Sequence, residues 1–160
     1  MQKKTIETNI EIYSFEELET KKQDLINKAK EQVSKAYAPY SGFHVGAAIE
    51  LENGVIITGS NQENSAYPSG LCAERVAMFY ANAQYPEVPV KTIAIAAYTK
   101  GNFVPDPITP CGSCRQVLLE TEMRFEKDIT ILLYGTKNVY QLKNVKQLLP
   151  LCFEKSSLEG

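Results

Sequence analysis

At 160 residues the chain is long enough for one domain with a buried core. Its composition, 44% hydrophobic and 22% charged, is ordinary for a soluble globular protein. A formal net charge of −2, with no run of five or more Lys or Arg, argues against a polynucleotide partner and for a small substrate. Met1 to Glu7 is not followed by an apolar signal core, and no stretch approaches the roughly 20 apolar residues of a membrane span. The expectation is a cytoplasmic protein with no membrane partner. In a reducing compartment, four cysteines that include one Cys-x-x-Cys pair point to metal binding or catalysis rather than to disulfides.

In chain order, residues 1–13 alternate loosely through Ile6, Ile10 and Ile12 and predict an arm or short edge strand. Ser14 and Glu17 have capping-box spacing. They open a predicted helix to about Tyr37, with Leu25, Ile26, Ala29, Val33 and Ala36 on its apolar face. A strand follows from Phe43 to Glu50; Asn53-Gly54 is a hairpin turn signal, and Val55 to Gly59 returns as the partner strand. A polar loop, about Ser60 to Leu71, leads into a helix from Cys72 to about Ala83 with Val76, Phe79 and Tyr80 on one side. Lys91 to Tyr98 is a strand, the Pro-rich segment 103–110 leads to a helix over Ser113 to about Glu122, and Ile129 to Tyr134 is a buried strand. Val139 to Leu142 is a short strand, and Asn144 caps a last helix that Pro150 stops. The tail, 154–160, is polar and reads as frayed. Strand-helix-strand units of this length imply a parallel crossover, hence a mixed sheet with helices on both faces.

Chemistry concentrates in Cys72-Ala73-Glu74 and in Pro110-Cys111-Gly112-Ser113-Cys114. Zinc held by three protein groups keeps its fourth tetrahedral position for water, the arrangement of a catalytic site, and lowers the pKa of that water to roughly 7. Glu74, two residues from a ligand, is placed to move protons. Cys-x-Glu followed by Pro-Cys-x-x-Cys is the order found in zinc-dependent nucleobase deaminases. Both segments fall at predicted helix starts, where partial positive charge stabilises thiolates. Zinc with three thiolates carries a formal charge of −1, which a neighbouring cation should offset; Arg75, donating to a ligand sulfur, is the candidate.

Other readings stand beside these. Cys111 and Cys114 also fit a redox pair, which leaves Cys72-Ala-Glu without an account. Glu74 is also an ordinary acidic residue for a helix start, and Arg75 an ordinary surface ion-pair residue. Cys152 reads as a small apolar filler, and His44, the only histidine, as a strand residue. With either of those two as fourth ligand the site would be a closed, structural one.

Four stretches taken together resemble the small homotetrameric zinc-dependent cytidine deaminases: Tyr37-Ala-Pro-Tyr-Ser-Gly-Phe-His-Val-Gly-Ala-Ala, Asn61-Gln-Glu-Asn-Ser-Ala-Tyr, Cys72-Ala-Glu-Arg and Pro110-Cys-Gly-Ser-Cys-Arg-Gln-Val. The resemblance runs from roughly Asp24 to Phe153. It implies an α/β fold, a three-layer α/β/α sandwich around a five-stranded mixed sheet, in one domain over 1–160 with 1–13 as an arm and 154–160 as a tail. It also implies one zinc per subunit and hydrolysis of cytidine or deoxycytidine to uridine or deoxyuridine plus ammonia, a pyrimidine salvage reaction.

Carried over by position, Cys72, Cys111 and Cys114 match the zinc ligands and Glu74 the proton shuttle. Asn61 and Glu63 match the pair that binds the ribose 3′-hydroxyl, Phe43 the aromatic packed on the nucleoside, and the Ala73 N–H the donor to the base carbonyl. Tyr67 and Phe153 stand where neighbouring subunits of a homotetramer contribute aromatic contacts, Phe153 stacking on the base. Competing functions are a deaminase of another amino-heterocycle such as blasticidin S, and a non-catalytic zinc-stabilised binding module. Asn61 and Glu63 favour a nucleoside because they offer two groups suited to a sugar hydroxyl.

Overall fold

The computed structural model describes residues 1–159. Its strands are β1 (Glu11–Tyr13), β2 (His44–Leu51), β3 (Ile56–Ser60), β4 (Val90–Thr99), β5 (Asn102–Phe103), β6 (Thr130–Tyr134) and β7 (Val139–Leu142). The helices are α1 (Thr20–Gln32), α2 (Ala73–Gln84), α3 (Gly112–Phe125) and the single turn α4 (Ser156–Glu159). The strands form one mixed sheet in the order β1-β7-β6-β4-β2-β3, with β5 folded back on β4. Only the β4–β6 pair is parallel. A parallel pair needs a long crossover, and α3 lies in it.

Alternation along the central strands produces three layers, because successive strand side chains point to opposite faces. Ala47, Ile49, Ile93, Ile95, Ile131 and Leu133 face α2 and α3, where they meet Ala77, Met78, Leu118 and Leu119. Ala48, Ala94, Ala96 and Leu132 face α1 and meet Leu25, Ile26 and Ala29. Small strand residues on the α1 side let that helix sit close. At Gly46 a Cβ would stand only 2.0 Å from the Ala29 carbonyl oxygen.

The sheet has seven strands where five were expected. β2, β3, β4, β6 and β7 are the expected five; the additions are short. β1, at the end of the N-terminal arm, is the short edge strand that residues 1–13 allowed, pairing antiparallel with the outer edge of β7. β5 is two residues that return after a turn in which Lys100 and Gly101 both take positive φ, 50° and 83°. A two-residue strand leaves no period to read.

Three helix boundaries also differ from expectation. The Glu17 carboxylate accepts the Ser14 N–H at 2.7 Å, but this box closes only a 3₁₀ turn, Phe15–Glu17. Leu18 then turns extended, ψ 149°, and buries its side chain in the α1-side core, so the long helix begins only at Thr20. It ends at Gln32 and tightens into a 3₁₀ turn, Val33–Lys35. Near the C-terminus, Asn144 caps as expected, its Oδ1 accepting the Gln147 N–H at 3.3 Å, but over the 3₁₀ turn Val145–Leu148 rather than an α-helix. The tail expected to fray carries α4.

Candidate active site

Two helix starts and one loop converge at one end of the sheet. Cys72 is the N-cap of α2 and Cys111 the N-cap of α3, with Cys114 buried in the first turn of α3. Cys72 Sγ lies 3.8 Å from Cys111 Sγ, and Cys111 Sγ lies 3.5 Å from Cys114 Sγ. The three sulfurs all fall within 4.8 Å of one another. Two thiolates on a tetrahedral zinc, each about 2.3 Å from the ion, stand about 3.8 Å apart, so the Cys72–Cys111 and Cys111–Cys114 spacings suit zinc. His44 and Cys152 are outside this cluster, the Cys152 thiol donating instead to the Leu149 carbonyl at 3.1 Å. The set of three therefore does not close into the four-ligand structural alternative.

Charge is shared unevenly between the thiols. A hydrogen bond from Cys114 pulls the Cys72 thiol pKa down to about 5, helped by Arg75 and opposed by burial. The same bond, together with burial, pushes Cys114 up. Arg75 Nη2 approaches Cys72 Sγ at 3.9 Å, the contact expected of a cation balancing the thiolates.

Glu74 lies in the first turn of α2 and is only 4% exposed. Burial lifts its pKa to about 6, opposed by a hydrogen bond from its own N–H and reinforced by charge on Cys72. A carboxyl in that range exchanges protons readily near neutral pH. Its Oε2 has no partner, one of three such buried side-chain atoms among the described residues, and Arg75 Nε is another. Buried polar atoms are nearly always bonded. Two orphans beside three thiols mark a site built for groups that arrive later.

Glu74 borders a cleft of about 330 Å³ whose walls include Phe43, Asn61, Glu63, Ile108 and Thr109. A second cleft, about 530 Å³, adjoins it and is lined by Tyr40, Tyr67 and Arg75. Ser41, Asn61, Glu63 and Cys72 border both. Glu63 is held firmly: its carboxylate accepts the Tyr40 N–H at 2.9 Å, the Ser41 N–H at 3.3 Å and the Ser41 hydroxyl. The Ser41 hydroxyl, first among these, holds its pKa below the usual carboxylate range.

Asn61 sits 9% exposed and clasps the start of β2, Oδ1 accepting the Val45 N–H at 2.7 Å and Nδ2 donating to the Phe43 carbonyl at 2.9 Å. One amide hydrogen remains for another acceptor. Ala73 is fully buried at the first position of α2, where a helix leaves its N–H groups unpaired.

Of the remaining two predicted residues, Tyr67 lines the larger cleft with Cys72 and Phe153 lines neither. Tyr67 is 77% exposed and meets Tyr40 edge-on at 6.1 Å. Phe153 is 59% exposed and borders neither cleft. The sequence reading missed Tyr40, Ser41, Ile108, Thr109 and Arg115. Ser41 was within reach of a sequence argument, since it lies in the same stretch as Phe43. Tyr40 lies in that stretch too, and Arg115 in the first turn of α3, whereas Ile108 and Thr109 are brought in by a loop path that no periodicity marks.

Residues 19–127 match the family described as the cytidine and deoxycytidylate deaminase zinc-binding region. The chain belongs to that family. Two relatives are the cytidine deaminases of Sporosarcina psychrophila and Halalkalibacterium halodurans. The first is 39% identical over 136 residues, covering 85% of this chain and 93% of the relative. The second is 39% identical over 132 residues, covering 82% and 93%. Among solved structures, the cytidine deaminase from Burkholderia pseudomallei superposes with a TM-score of 0.69 at 38% identity, over 81% of this chain and 97% of that one. That from Mycobacterium tuberculosis gives 0.66 at 29% identity, over 85% and 99%. The deaminase family's zinc-binding region spans α2, the α3 turn and all three thiols. Among the described residues, no helix is long and apolar enough to cross a membrane.

Proposed function

We propose that this chain is a zinc-dependent cytidine deaminase, hydrolysing cytidine to uridine and ammonia. The observation that carries the reading is the partnerless, buried Glu74 Oε2 beside the Cys72, Cys111 and Cys114 thiols at the wall of a cleft. Relatives of nearly the same length that bear the cytidine deaminase name support it.

Zinc held by the three thiolates supplies a Lewis acid that lowers the pKa of a water to about 7. Everything else falls to the chain's own groups. Glu74 accepts a proton as water attacks C4 of the base and delivers it to N3; it then takes the remaining proton of that oxygen and passes it to the departing amino group, leaving a carbonyl at C4 and free ammonia. Burial keeps bulk water from competing for that carboxyl. The Ala73 N–H donates to the base carbonyl, and Phe43 packs against the nucleoside. Glu63, held by Tyr40 and Ser41, and the remaining amide hydrogen of Asn61 receive the ribose 3′-hydroxyl. Arg75 offsets the charge of the thiolates through Cys72.

Deoxycytidine belongs to the same substrate class, because neither Asn61 nor Glu63 is assigned to the 2′ position. The reaction is a salvage step in the cytoplasm, consistent with four free cysteines. One domain, with an N-terminal arm and a C-terminal tail, carries it. We infer a homotetramer whose pockets are completed by Tyr67 and Phe153 of neighbouring subunits. Support comes from the exposure of both rings, and from Phe79 and Tyr80, which are 46% and 55% exposed on the outer side of α2.

The test is ammonia release from cytidine, deoxycytidine and CMP by purified protein of known zinc content. Turnover of both nucleosides but not CMP is expected. No turnover from zinc-loaded protein overturns the reading.

A further inference from the structure

The stretch from Asp106 to Cys111 belongs to no helix or strand, yet it sets the position of a zinc-ligand turn. Its far end is tied to the sheet, where the Val104 and Pro105 carbonyls accept the Thr136 and Lys137 N–H groups, each at 3.0 Å. Its near end is held by a single side chain. Arg115, the residue after Cys114, reaches back along α3 so that Nε donates to the Pro110 carbonyl at 2.8 Å and Nη2 to the Thr109 hydroxyl at 2.9 Å. Its third edge points the other way, with Nη1 donating to the Leu148 carbonyl at 2.9 Å. The next residue continues the pattern, Gln116 Nε2 donating to the Phe153 carbonyl at 3.0 Å.

We propose that Arg115 and Gln116 form a clamp that fixes the C-terminal segment Leu148–Phe153 to the zinc-ligand turn, making both of them positioning residues for the reaction. This rests on the deaminase reading above and extends it to two residues that touch neither metal nor substrate.

The chemistry of the guanidinium supports the assignment. Arg115 takes part in none of the side-chain ion pairs among the described residues, so its charge is not used for a carboxylate. What is used is the rigid planar fork, which reaches three acceptors in three directions. Thr109, one of those acceptors, also lines the cleft beside Glu74. Leu148, another, begins the stretch that ends at the exposed Phe153 ring. The first turn of α3 thus joins the pocket of its own subunit to the aromatic ring it offers a neighbour, and a shift in one is passed to the other.

Lysine keeps the charge of Arg115 but, as a single ammonium on a flexible stem, cannot reproduce the fork. The experiment compares zinc-loaded wild type with Arg115→Lys and Gln116→Ala, reading zinc release to a chromogenic chelator and kcat and KM for cytidine. Leu25→Ala, in the core on the α1 face of the sheet, is the control for general loss of stability. For Arg115→Lys, zinc release should accelerate about tenfold, the usual scale for losing a partner that orients a metal-ligand segment. For Gln116→Ala, KM should rise about fivefold at unchanged kcat and unchanged zinc release, since one hydrogen bond to the Phe153 segment is lost. Leu25→Ala should change none of these at a temperature where it is folded.

Wild-type zinc release in Arg115→Lys together with wild-type KM in Gln116→Ala would overturn the clamp. If Arg115→Lys does not fold, the KM of Gln116→Ala decides. If the wild type itself fails to deaminate cytidine, the deaminase reading falls, and zinc release from Arg115→Lys still decides whether Arg115 holds the ligand turn.

Discussion

Gly59 of β3 lies directly under Ala73, the first residue of α2: a Cβ at Gly59 would stand 2.7 Å from the Ala73 carbonyl oxygen and 2.7 Å from the Ala77 N atom. Both contacts are backbone, so neither can rotate aside. The missing side chain is what lets α2 settle against the sheet with Cys72 at its N-cap and Glu74 in its first turn. Gly59→Ala should therefore lift the start of α2. The expected result is a loss of about 1–3 kcal/mol in denaturant unfolding, in line with overpacking elsewhere, together with weaker zinc retention. Unchanged stability and zinc content would show that the helix start is not so constrained.

Among the described residues, Arg75 is the cation that reaches the Cys72 sulfur, at 3.9 Å. Arg75→Ala leaves the trio with uncompensated negative charge, so zinc affinity measured by chelator competition should fall about 10- to 100-fold. Arg75→Lys should recover part of the loss. Wild-type affinity and turnover in Arg75→Ala would return Arg75 to the role of a surface residue.

Glu122 holds the back of α3 in place. It is 5% exposed, and its Oε2 accepts the Ile129 N–H at 2.8 Å and the Val145 N–H at 2.9 Å, joining the helix to β6 and to the turn after β7. Glu122→Ala leaves both N–H groups without their acceptor and should lower unfolding stability by about 2–4 kcal/mol.

The same residue predicts a pH dependence. Burial, opposed by those two N–H groups, raises its pKa above the ordinary value of 4.5. The folded state then binds the proton more tightly than the unfolded chain does. The stabilisation from that proton is full below the ordinary value and is lost as pH rises through the native one. Glu122→Gln removes the dependence, so wild-type stability relative to the variant should decline as pH rises through that window. A pH-independent difference would contradict it.

Much of the site was legible because its residues sit at fixed offsets on short local elements. Cys111 and Cys114 are three apart on one helical turn, and Cys72 and Glu74 flank the start of another, so spacing alone marked the three thiols and the carboxylate that the fold brings to one place. The five central strands were legible for a similar reason, since runs such as Ile93 to Ala97 are buried on both faces. The α1 boundary was not. Ser14 and Glu17 form a real capping interaction, but burial of Leu18 draws the chain out of helical geometry, and that depends on a distant partner surface. Arg115 stands beside Cys114 with no role legible from spacing, because its acceptors at Leu148 and Thr109 are set by the fold. Asn61 shows a further limit: its amide is largely engaged with Phe43 and Val45, a duty that spacing does not reveal.

The inferred tetramer makes a separate prediction. With Tyr67 and Phe153 exposed and Phe153 lining neither cleft of its own subunit, an isolated subunit should lack part of its pocket. Sedimentation velocity with activity measured across the boundary should place turnover in the assembled species. An active monomer would remove the shared pocket from the account.

The most direct test is Glu74→Gln, with zinc content and cytidine turnover measured on the same preparation. The substitution keeps the shape of the side chain but cannot carry the proton, a contribution worth about 10²–10⁴-fold. The account predicts full zinc occupancy with turnover reduced on that scale. Near-normal turnover at full occupancy would contradict the assignment of Glu74, and with it the proposed mechanism.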